Sequence, residues 1–382
     1  MKLAIFALGL SLSSGLVACT TTPPHSEASS AAQPASTDQE DLVDAYVQEW
    51  MEAHDFNGIV LVQKNADKHV IVDGVADHES GRPLTEDTVF QSGSIDKFFA
   101  SIAVFALAEE GRLDIDAPIS TYLPDYRRDT GDRLTLKHLM ANRSGLPDTL
   151  GPIMGRLPMQ LAQTPEASLA DLGIDMSLAE AIEAYASGDL KFEPGESFDY
   201  VHTNWILVHR ILEAVTGQPY AEILETHVFA PAGMTASGVF SLNLEADEAG
   251  TQDIAVGYDA DDSYYSGDFP IPAMIGGATY TNASDLMKLF DALYGGRILN
   301  ADFLQRFSTI TTDDENYAYG GRVGTYEDDP LQLYSMQSGS NGATNVVAIH
   351  EIGGEYTFIA MSNFAQSQDD MFALSRSVET LG

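Results

Sequence analysis

The architecture of this chain is best predicted from TVFQSGSIDKFFASIAVFALAEEG, residues 88–111. A short extended run at residues 88–90 leads into a polar turn, and a nearly continuous apolar stretch from Phe98 to Glu109 follows. Gly111 is a typical stop, so the pattern predicts a buried helix that begins just after the turn. The turn carries an S-x-x-K tetrad at residues 94–97.

This tetrad places a hydroxyl and an amine close together. On a helix, Ser94 and Lys97 lie on the same face one turn apart. A helix N-terminus supplies unpaired N–H groups and positive potential that stabilise an oxyanion, and a serine needs a neighbouring base before it can attack. The residues alone leave two interpretations open: a nucleophile with its base, or a helix cap at Ser94 with a surface charge at Lys97.

Other catalytic signatures are absent from the sequence. There is no G-x-S-x-G elbow, no G-x-G-x-x-G, no Walker lysine loop and no H-E-x-x-H among the nine histidines. The usual α/β-hydrolase, dinucleotide, nucleotide-triphosphate and zinc-protease functions therefore lose their support. We expect no cofactor and no metal, because His202 and His209 share a helical face without a third ligand, which indicates packing.

The N-terminus predicts export. Residues 1–18 combine a positive charge with a short apolar run, as in a secretory signal peptide, and the run is too short to span a bilayer. Residues 16–19, LVAC, resemble the bacterial lipobox, so Cys19 is expected to carry a lipid; the alternative is an ordinary signal peptide with a chance cysteine. Residues 19–40 are rich in Ser, Thr, Ala and Pro and predict a flexible tether. Because Thr20 follows the cysteine, the resemblance implies the cell envelope, at the outer membrane and facing the periplasm.

Residues 41–382 predict a globular enzyme-sized domain, either one composite unit or two packed lobes. The chain is 44% hydrophobic and 9% aromatic, with a formal net charge of −38. Such an acidic chain repels nucleic-acid phosphates and anionic lipids, so a nucleic-acid partner is disfavoured. The expected partners are small-molecule substrates, together with the membrane through the lipid on Cys19.

Patterns of apolar residues near both ends of this domain indicate strands, and the middle is rich in helical patterns. The predicted strands and terminal helices are residues 58–63, 69–72, 345–350 and 356–362, with helices over 42–54 and 369–378. An α+β fold follows: a sheet part at about 41–100 and 270–382, with an inserted helical lobe at about 101–269.

Six sequence blocks resemble, in the same order, the family of serine β-lactamases, DD-peptidases and related esterases, close to its class C branch. They are the segment beginning TVFQSGSIDK, then LTLKHLMANRSGLPD, FEPGESFDYVHTNWILVHRILEAVTG, PAGM, IGGATYTNASDLMKLFDALYGGRIL and NVVAIHEIGGEYTFIAMSNF. The resemblance implies a β-lactamase/DD-peptidase-like fold: an antiparallel sheet flanked by helices, with the active site where the sheet meets the helical lobe.

The resemblance also implies roles for individual residues. Ser94 matches the acylated nucleophile, Lys97 its proton-transfer partner, and Tyr200 the second-motif tyrosine that shuttles a proton to the leaving group. A phenol is a poor base unless a positive neighbour stabilises its anion, and Lys97 is the obvious neighbour. Which of the two is the base stays open.

The second motif departs from the family pattern. The usual Tyr-Ser/Ala-Asn is replaced by Tyr200-Val201-His202, with Asn204 two places later. The family asparagine bridges the lysine and the substrate amide. His202 has a donor and an acceptor, so it is a candidate substitute in substrate binding.

The third motif, normally Lys-Thr-Gly or His-x-Gly, aligns with Gln337-Ser338-Gly339. Gly339 keeps the backbone close to the substrate, and the N–H of Ser340 is the expected second oxyanion donor beside that of Ser94. A neutral Gln337 holds a carboxylate less firmly than a cation does, which favours neutral esters or amides. The alternative is that another residue supplies the positive charge.

The predicted function is a serine hydrolase that works through an acyl-enzyme on Ser94, acting on esters or amides. A β-lactamase or a D-Ala-D-Ala carboxypeptidase acting on peptidoglycan-like substrates is the near alternative. A non-catalytic penicillin-binding-like sensor is the alternative from another class, suggested by His202 and Gln337. The complete set of Ser94, Lys97 and Tyr200 favours an enzyme.

Overall fold

A computed structural model describes residues 37–151, 177–240, 254–258, 278–312, 315–325, 331–364 and 366–381. The predicted signal peptide, Cys19 and most of the predicted tether lie outside these residues. Residues 38–382 cluster as one compact unit. Within the part of the chain that is described, no helix has the length and apolar character needed to cross a membrane.

The central element is a six-stranded antiparallel sheet with the strand order β2-β1-β11-β10-β9-β8. Its strands are β1 (Gly58–Lys64), β2 (Asp67–Asp73), β8 (Arg322–Thr325), β9 (Leu333–Asn341), β10 (Thr344–Ile352) and β11 (Tyr356–Ser362). Strand β1 pairs with β11, so the sheet joins the two ends of the domain. The predicted sheet from both termini is therefore confirmed, and the predicted strands correspond to β1, β2, β10 and β11.

Two small sheets lie beside the main one. Strands β3 (Val75–Asp77) and β4 (Arg82–Pro83) form a two-stranded sheet. Strands β5 (Phe90–Gln91), β7 (Thr279–Thr281) and β6 (Gly238–Val239) form a three-stranded sheet in that order. Strand β5 ends directly before the tetrad, so this sheet fixes the chain that leads into the S-x-x-K turn.

The described residues form α-helices, several of which flank the main sheet. They are α1 (Thr37–Ala53), α2 (Ile95–Glu109), α3 (Arg128–Gly131), α4 (Leu136–Met140), α5 (Leu178–Tyr185), α6 (Thr203–Thr216), α7 (Tyr220–Leu224), α8 (Ala230–Ala232), α9 (Ala283–Tyr294), α10 (Ala301–Phe307) and α11 (Gln368–Glu379). A 3-10 turn at Ile119–Thr121 and a π-helical turn at Glu225–Phe229 complete them.

Both faces of the sheet are covered, and alternate residues of β1, β2, β10 and β11 point to different cores. Ile59 and Leu61 of β1 join the large core that includes α2 and α9. Val60 and Val62 join a second core with apolar residues of α1 and α11. This two-sided burial explains why the inner strands are almost wholly apolar.

Two helix starts differ from the prediction. Helix α2 begins at Ile95 rather than Phe98, because the S-x-x-K residues form its first turn. Helix α1 begins at Thr37, so it takes in residues 37–40, which the sequence analysis assigns to the tether.

Candidate active site

The tetrad turn is held between β5 and α2. Ser92 is fully buried, and both its N–H and its hydroxyl bond to Thr279 of β7. The chain then turns at Gly93, where φ is +53°. Ser94 already has helical angles of −65° and −5°, and Lys97 N–H donates to its carbonyl at 3.1 Å. The nucleophile candidate therefore stands at the N-terminus of a long buried helix.

Two proton-carrying groups converge on the hydroxyl of Ser94. Lys97 Nζ donates to Ser94 Oγ at 3.2 Å, and Tyr200 OH donates to the same atom at 3.0 Å. The Lys97 ammonium lies 5.5 Å from the centroid of the Tyr200 ring. Lys97 is only 1% exposed, so the interpretation of a helix cap with a surface charge does not hold. The structure thus brings the three predicted residues together.

Tyr200 is held in place from the neighbouring helical segment. Asp199 N–H donates to the carbonyl of Asn142 at 2.8 Å, and Val201 N–H donates to Asn142 Oδ1 at 3.4 Å. These bonds on either side fix the backbone of the tyrosine just before α6. Asn142 itself has a φ of +53°, a region that asparagine tolerates better than most residues. Asn142, in the second of the six sequence blocks, therefore holds the backbone around Tyr200, in the third.

Strand β9 forms the opposite wall, and it approaches the tetrad turn very closely. A Cβ on Gly339 would lie 2.9 Å from the backbone nitrogen of Ser94 and would collide with the carbonyl oxygen of Ser92. A Cβ on Gly93 would collide with the backbone nitrogen of Ser340. The backbone nitrogens of Ser94 and Ser340 therefore both lie where the tetrad turn crosses strand β9.

Gln337 is neutral, so this wall carries no charge at position 337. Its side chain is 3% exposed, and Nε2 donates to Ser335 Oγ at 2.9 Å. Gly321 of the adjacent segment packs against the Gln337 carboxamide so closely that a Cβ there would collide with it. The glutamine is thus fixed by the protein on both sides.

These walls enclose a cavity of about 300 Å³. The described residues that line it are Ser94, Tyr200, Tyr317, Gly320, Gly321, Arg322, Met336, Gln337, Ser338, Gly339, Ser340 and Gln368. Among them Arg322 of β8 carries a formal charge. Its side chain is 35% exposed, pairs with Glu315 at 3.5 Å and lies 5.6 Å from the centroid of the Tyr317 ring. A cation therefore reaches the cavity from β8 rather than from position 337.

Sequence reasoning missed Arg322 and Tyr317, since neither belongs to a motif. One signal was available: basic residues are scarce, 19 against 57 acidic ones, and Arg322 follows the Gly320-Gly321 pair shortly before the third motif. Tyr317 lies 6.3 Å from Tyr200, measured between ring centroids. Burial, with a smaller effect from Tyr200, holds the pKa of Tyr317 well above its ordinary value. Tyr317 is therefore a neutral phenol at the cavity wall.

His202 stands beside the site rather than in the cavity wall as described. Its Nδ1 lies 3.5 Å from Asp148 Oδ2, and its backbone N–H donates to Asp148 Oδ1 at 3.3 Å. Burial of Asp148 raises its pKa, but hydrogen bonds from His202 and the Gly151 N–H outweigh that effect, so the pKa lies below the usual range. The His202 ring meets the Tyr200 ring edge to face at 5.9 Å.

Asn204 and His209 each contact neighbouring side chains of the protein. Asn204 accepts from Ser144 Oγ at 2.6 Å and donates to Asn142 Oδ1 at 3.1 Å. The His209 ring stacks on Tyr220 at 3.9 Å. Within the described residues, no group of three or more His, Cys, Asp and Glu side chains is arranged to hold a metal ion.

An antiparallel sheet flanked by helices, with serine, lysine and tyrosine side chains meeting beside strand β9, defines a serine hydrolase of the β-lactamase-like class. The chain belongs to the Beta-lactamase family, which matches residues 43–379. The predicted fold class and the predicted class of enzyme are thereby confirmed.

The proteins to which this chain is similar include a penicillin-binding protein and an esterase. Penicillin-binding protein 4* of Bacillus subtilis (strain 168) is 26% identical over 348 residues, 86% of this chain and 72% of the relative. Esterase EstB of Burkholderia gladioli is 34% identical over 176 residues, 45% of this chain and only 44% of the esterase. The crystal structure of a penicillin binding protein from Bacillus halodurans superposes with a TM-score of 0.73 at 24% identity, covering 87% of this chain and 99% of that one. At that identity the superposition establishes the shared fold.

Proposed function

We propose that this protein hydrolyses esters or amides through an acyl-enzyme on Ser94. One observation carries the proposal: Lys97 Nζ and Tyr200 OH both lie within hydrogen-bonding distance of the same hydroxyl, at 3.2 and 3.0 Å. A serine with two such neighbours can lose its proton as it attacks, and the same groups can return that proton to the leaving group. A serine that only capped the helix would need neither Lys97 nor Tyr200.

The chemical steps follow from these positions. Ser94 Oγ bonds to the carbonyl carbon of the substrate while its proton passes to the unit formed by Lys97 and Tyr200. The N–H groups of Ser94 and Ser340 stabilise the oxyanion. The bond to the alcohol or amine then breaks, and that group leaves with the proton. Water repeats the sequence on the acyl-enzyme, which releases the acid and restores the Ser94 hydroxyl.

The walls suggest which acyl compounds fit. Gln337 offers a neutral amide at the position where the resemblance implies Lys-Thr-Gly or His-x-Gly, which favours neutral esters and amides. Arg322 offers a guanidinium in the same cavity, which favours a substrate carrying a carboxylate, as β-lactams and D-Ala-terminated peptides do. The relatives include both an esterase and penicillin-binding proteins. We place esters and amides first, because Arg322 already pairs with Glu315.

Mass spectrometry after exposure to a fluorophosphonate, to penicillin and to a short-chain ester tests the proposal. We expect the fluorophosphonate to label Ser94 and the ester to turn over. The matched control is Ser94→Ala, which should lose labelling and keep its fold because the Ser94 side chain makes no capping hydrogen bond to α2. Equal labelling of Ser94→Ala and the wild type would contradict the proposal. Labelling without turnover of any ester, amide or β-lactam would favour the sensor.

We also propose that the chain is exported and held in the cell envelope by a lipid on Cys19, at the outer membrane and facing the periplasm. The support is the lipobox-like sequence at residues 16–19 and the tether-like composition that follows it. A hydrolase tethered in this way would meet substrates of the envelope, among them peptidoglycan-like ones.

A further inference from the structure

A carboxylate is buried inside the S-x-x-K tetrad itself. Asp96 is 0% exposed and lies between Ser94 and Lys97 in the first turn of α2. Tyr220 OH donates to Asp96 Oδ1 at 2.9 Å. His209 Nε2 lies 3.6 Å from Asp96 Oδ2, and its ring stacks on that of Tyr220. Three helices, α2, α6 and α7, therefore meet at one acidic side chain.

The acyl-transfer steps do not use this cluster, yet burying it is costly. Asp96 Oδ2 and both ring nitrogens of His209 have no hydrogen-bond partner among the described residues. A buried carboxylate without full compensation destabilises a fold, and an apolar side chain of similar volume would be at least as stable. Stability therefore does not explain why an aspartate stands at this position.

Charge balance does explain it. Lys97 follows Asp96 directly, and the two side chains are 1% and 0% exposed. Charges that are both excluded from water are poorly screened and act over distances longer than a direct contact. Among the described groups that face the two side chains, Tyr220 and His209 lie around Asp96, and Ser94, Tyr200 and Trp205 lie around Lys97. Asp96 thus places a buried carboxyl group beside the proton-transfer unit.

We propose that Asp96, held by Tyr220 and His209, is a positioning residue that orients the S-x-x-K turn and balances the charge of Lys97. The inference rests on the proposed acyl-transfer function. Its electrostatic consequence is independent of which group is the base, because a negative charge opposes the loss of a proton from any group near it.

The test is the pH–rate profile of Ser94 acylation in Asp96→Asn, followed with the fluorophosphonate and with a p-nitrophenyl ester. Removing the charge should move the ascending limb of the profile to lower pH by about one unit. KM should change by less than about twofold, since Asp96 does not line the cavity as described, so the effect should fall on kcat. If Asp96→Asn does not fold, Asp96→Ser removes the same charge with a smaller side chain and should give the same shift.

Glu110→Gln is the matched control. Glu110 is another carboxylate paired with a histidine, His227 at 3.4 Å, at the far end of α2 and about 21 Å from Asp96 along the helix axis. The Glu110→Gln variant should leave the pH–rate profile unchanged. An ascending limb at the wild-type pH in Asp96→Asn, or an equal shift in Glu110→Gln, would overturn the inference. Both outcomes are distinct from failure of the acyl-enzyme proposal, which would appear as undiminished labelling of Ser94→Ala.

Discussion

Gly93 and Gly339 lie where the tetrad turn crosses β9, and each packs against the backbone next to the other. A Cβ on Gly93 would lie 2.8 Å from the carbonyl oxygen of Ser340 and closer still to its nitrogen. A Cβ on Gly339 would lie 2.9 Å from the nitrogen of Ser94. Because neither glycine has a side chain, the two N–H groups proposed as oxyanion donors can stand close to each other.

Gly93→Ala should therefore lower the activity by more than the accompanying loss of stability can explain. The added methyl group collides with Ser340, so the two donors must separate, and we expect acylation to slow by about 100-fold or more. Gly111→Ala is the control: its φ is +71°, but a Cβ there meets nothing within 4 Å. It should cost about 1 to 2 kcal/mol of stability and leave the acylation rate intact. Equal rates in the two variants would contradict the prediction.

Lys97→Ala and Tyr200→Phe should each slow acylation by about 100-fold or more, because both groups handle the proton of one hydroxyl. Stopped-flow measurement of the acylation rate checks this. Tyr122→Phe is a control that removes a phenol bonded elsewhere, to the carbonyl of Asp114. The double variant of Lys97 and Tyr200 should fall well short of the product of the single losses if the two act as a unit. Full multiplicativity would mean that they act separately.

Substrate choice depends on Arg322 and Gln337. Arg322→Gln removes the described formal charge of the cavity wall, so it should lower kcat/KM for carboxylate-bearing substrates relative to neutral p-nitrophenyl esters by about tenfold. Gln337→Lys should shift the same ratio in the opposite direction. Arg128→Gln, which removes a surface cation paired with Asp132, is the control. If Arg322→Gln leaves the ratio unchanged, the guanidinium does not contact the substrate.

The sheet and the reacting residues could be predicted because their signals are local or carried by motifs. The hairpin of β1 and β2, the strands β10 and β11 and the tetrad all show in short windows of sequence. The contact between Tyr200 and Ser94 joins residues 106 positions apart, and only the family resemblance indicated it. Periodicity alone cannot predict such a contact.

The unpredicted part of the site depends on packing between distant segments. Arg322 reaches the cavity because β8 pairs with β9, and no pattern around it signals that pairing. The Asp96 cluster was missed for the same reason, since the contacts of Asp96 with His209 and Tyr220 depend on the packing of α6 and α7 beside α2. His202 Nδ1 lies 3.5 Å from Asp148 Oδ2, a contact that the motif did not indicate, and the substrate contact expected of His202 stays a prediction.

The lipid-anchor proposal makes a prediction about location. Cys19→Ser removes the thiol that would receive the lipid, so the protein should shift from the membrane fraction to the soluble periplasmic fraction or be mis-sorted. Fractionation with immunodetection, together with mass spectrometry of the mature N-terminus, checks this. Recovery of the native protein with an unmodified N-terminus beyond residue 19 would contradict the anchor. Ser94→Ala should fractionate as the wild type does.

His350 should make the stability of the fold depend on pH. Its ring stacks with those of Phe290 and Tyr294, each at 5.2 Å, and Nδ1 lies 2.9 Å from Thr357 Oγ1. Burial lowers the pKa of His350 from 6.5 to about 4, so above pH 6.5 the imidazole is neutral in both the folded and the unfolded chain. As the pH falls from 6.5 towards 4, the unfolded chain takes up a proton that the folded chain does not.

This difference should lower the free energy of unfolding by up to about 3 kcal/mol over that interval. His350→Phe preserves the stacking and removes the titration, so urea denaturation at a series of pH values should show a smaller loss of stability between pH 6.5 and 4. Thr357→Val is the control, because it removes the hydrogen bond and keeps the imidazole; it should lower stability by about 1 kcal/mol without reducing the pH dependence. An acid-induced loss in His350→Phe as large as that of the wild type would assign the effect to other groups.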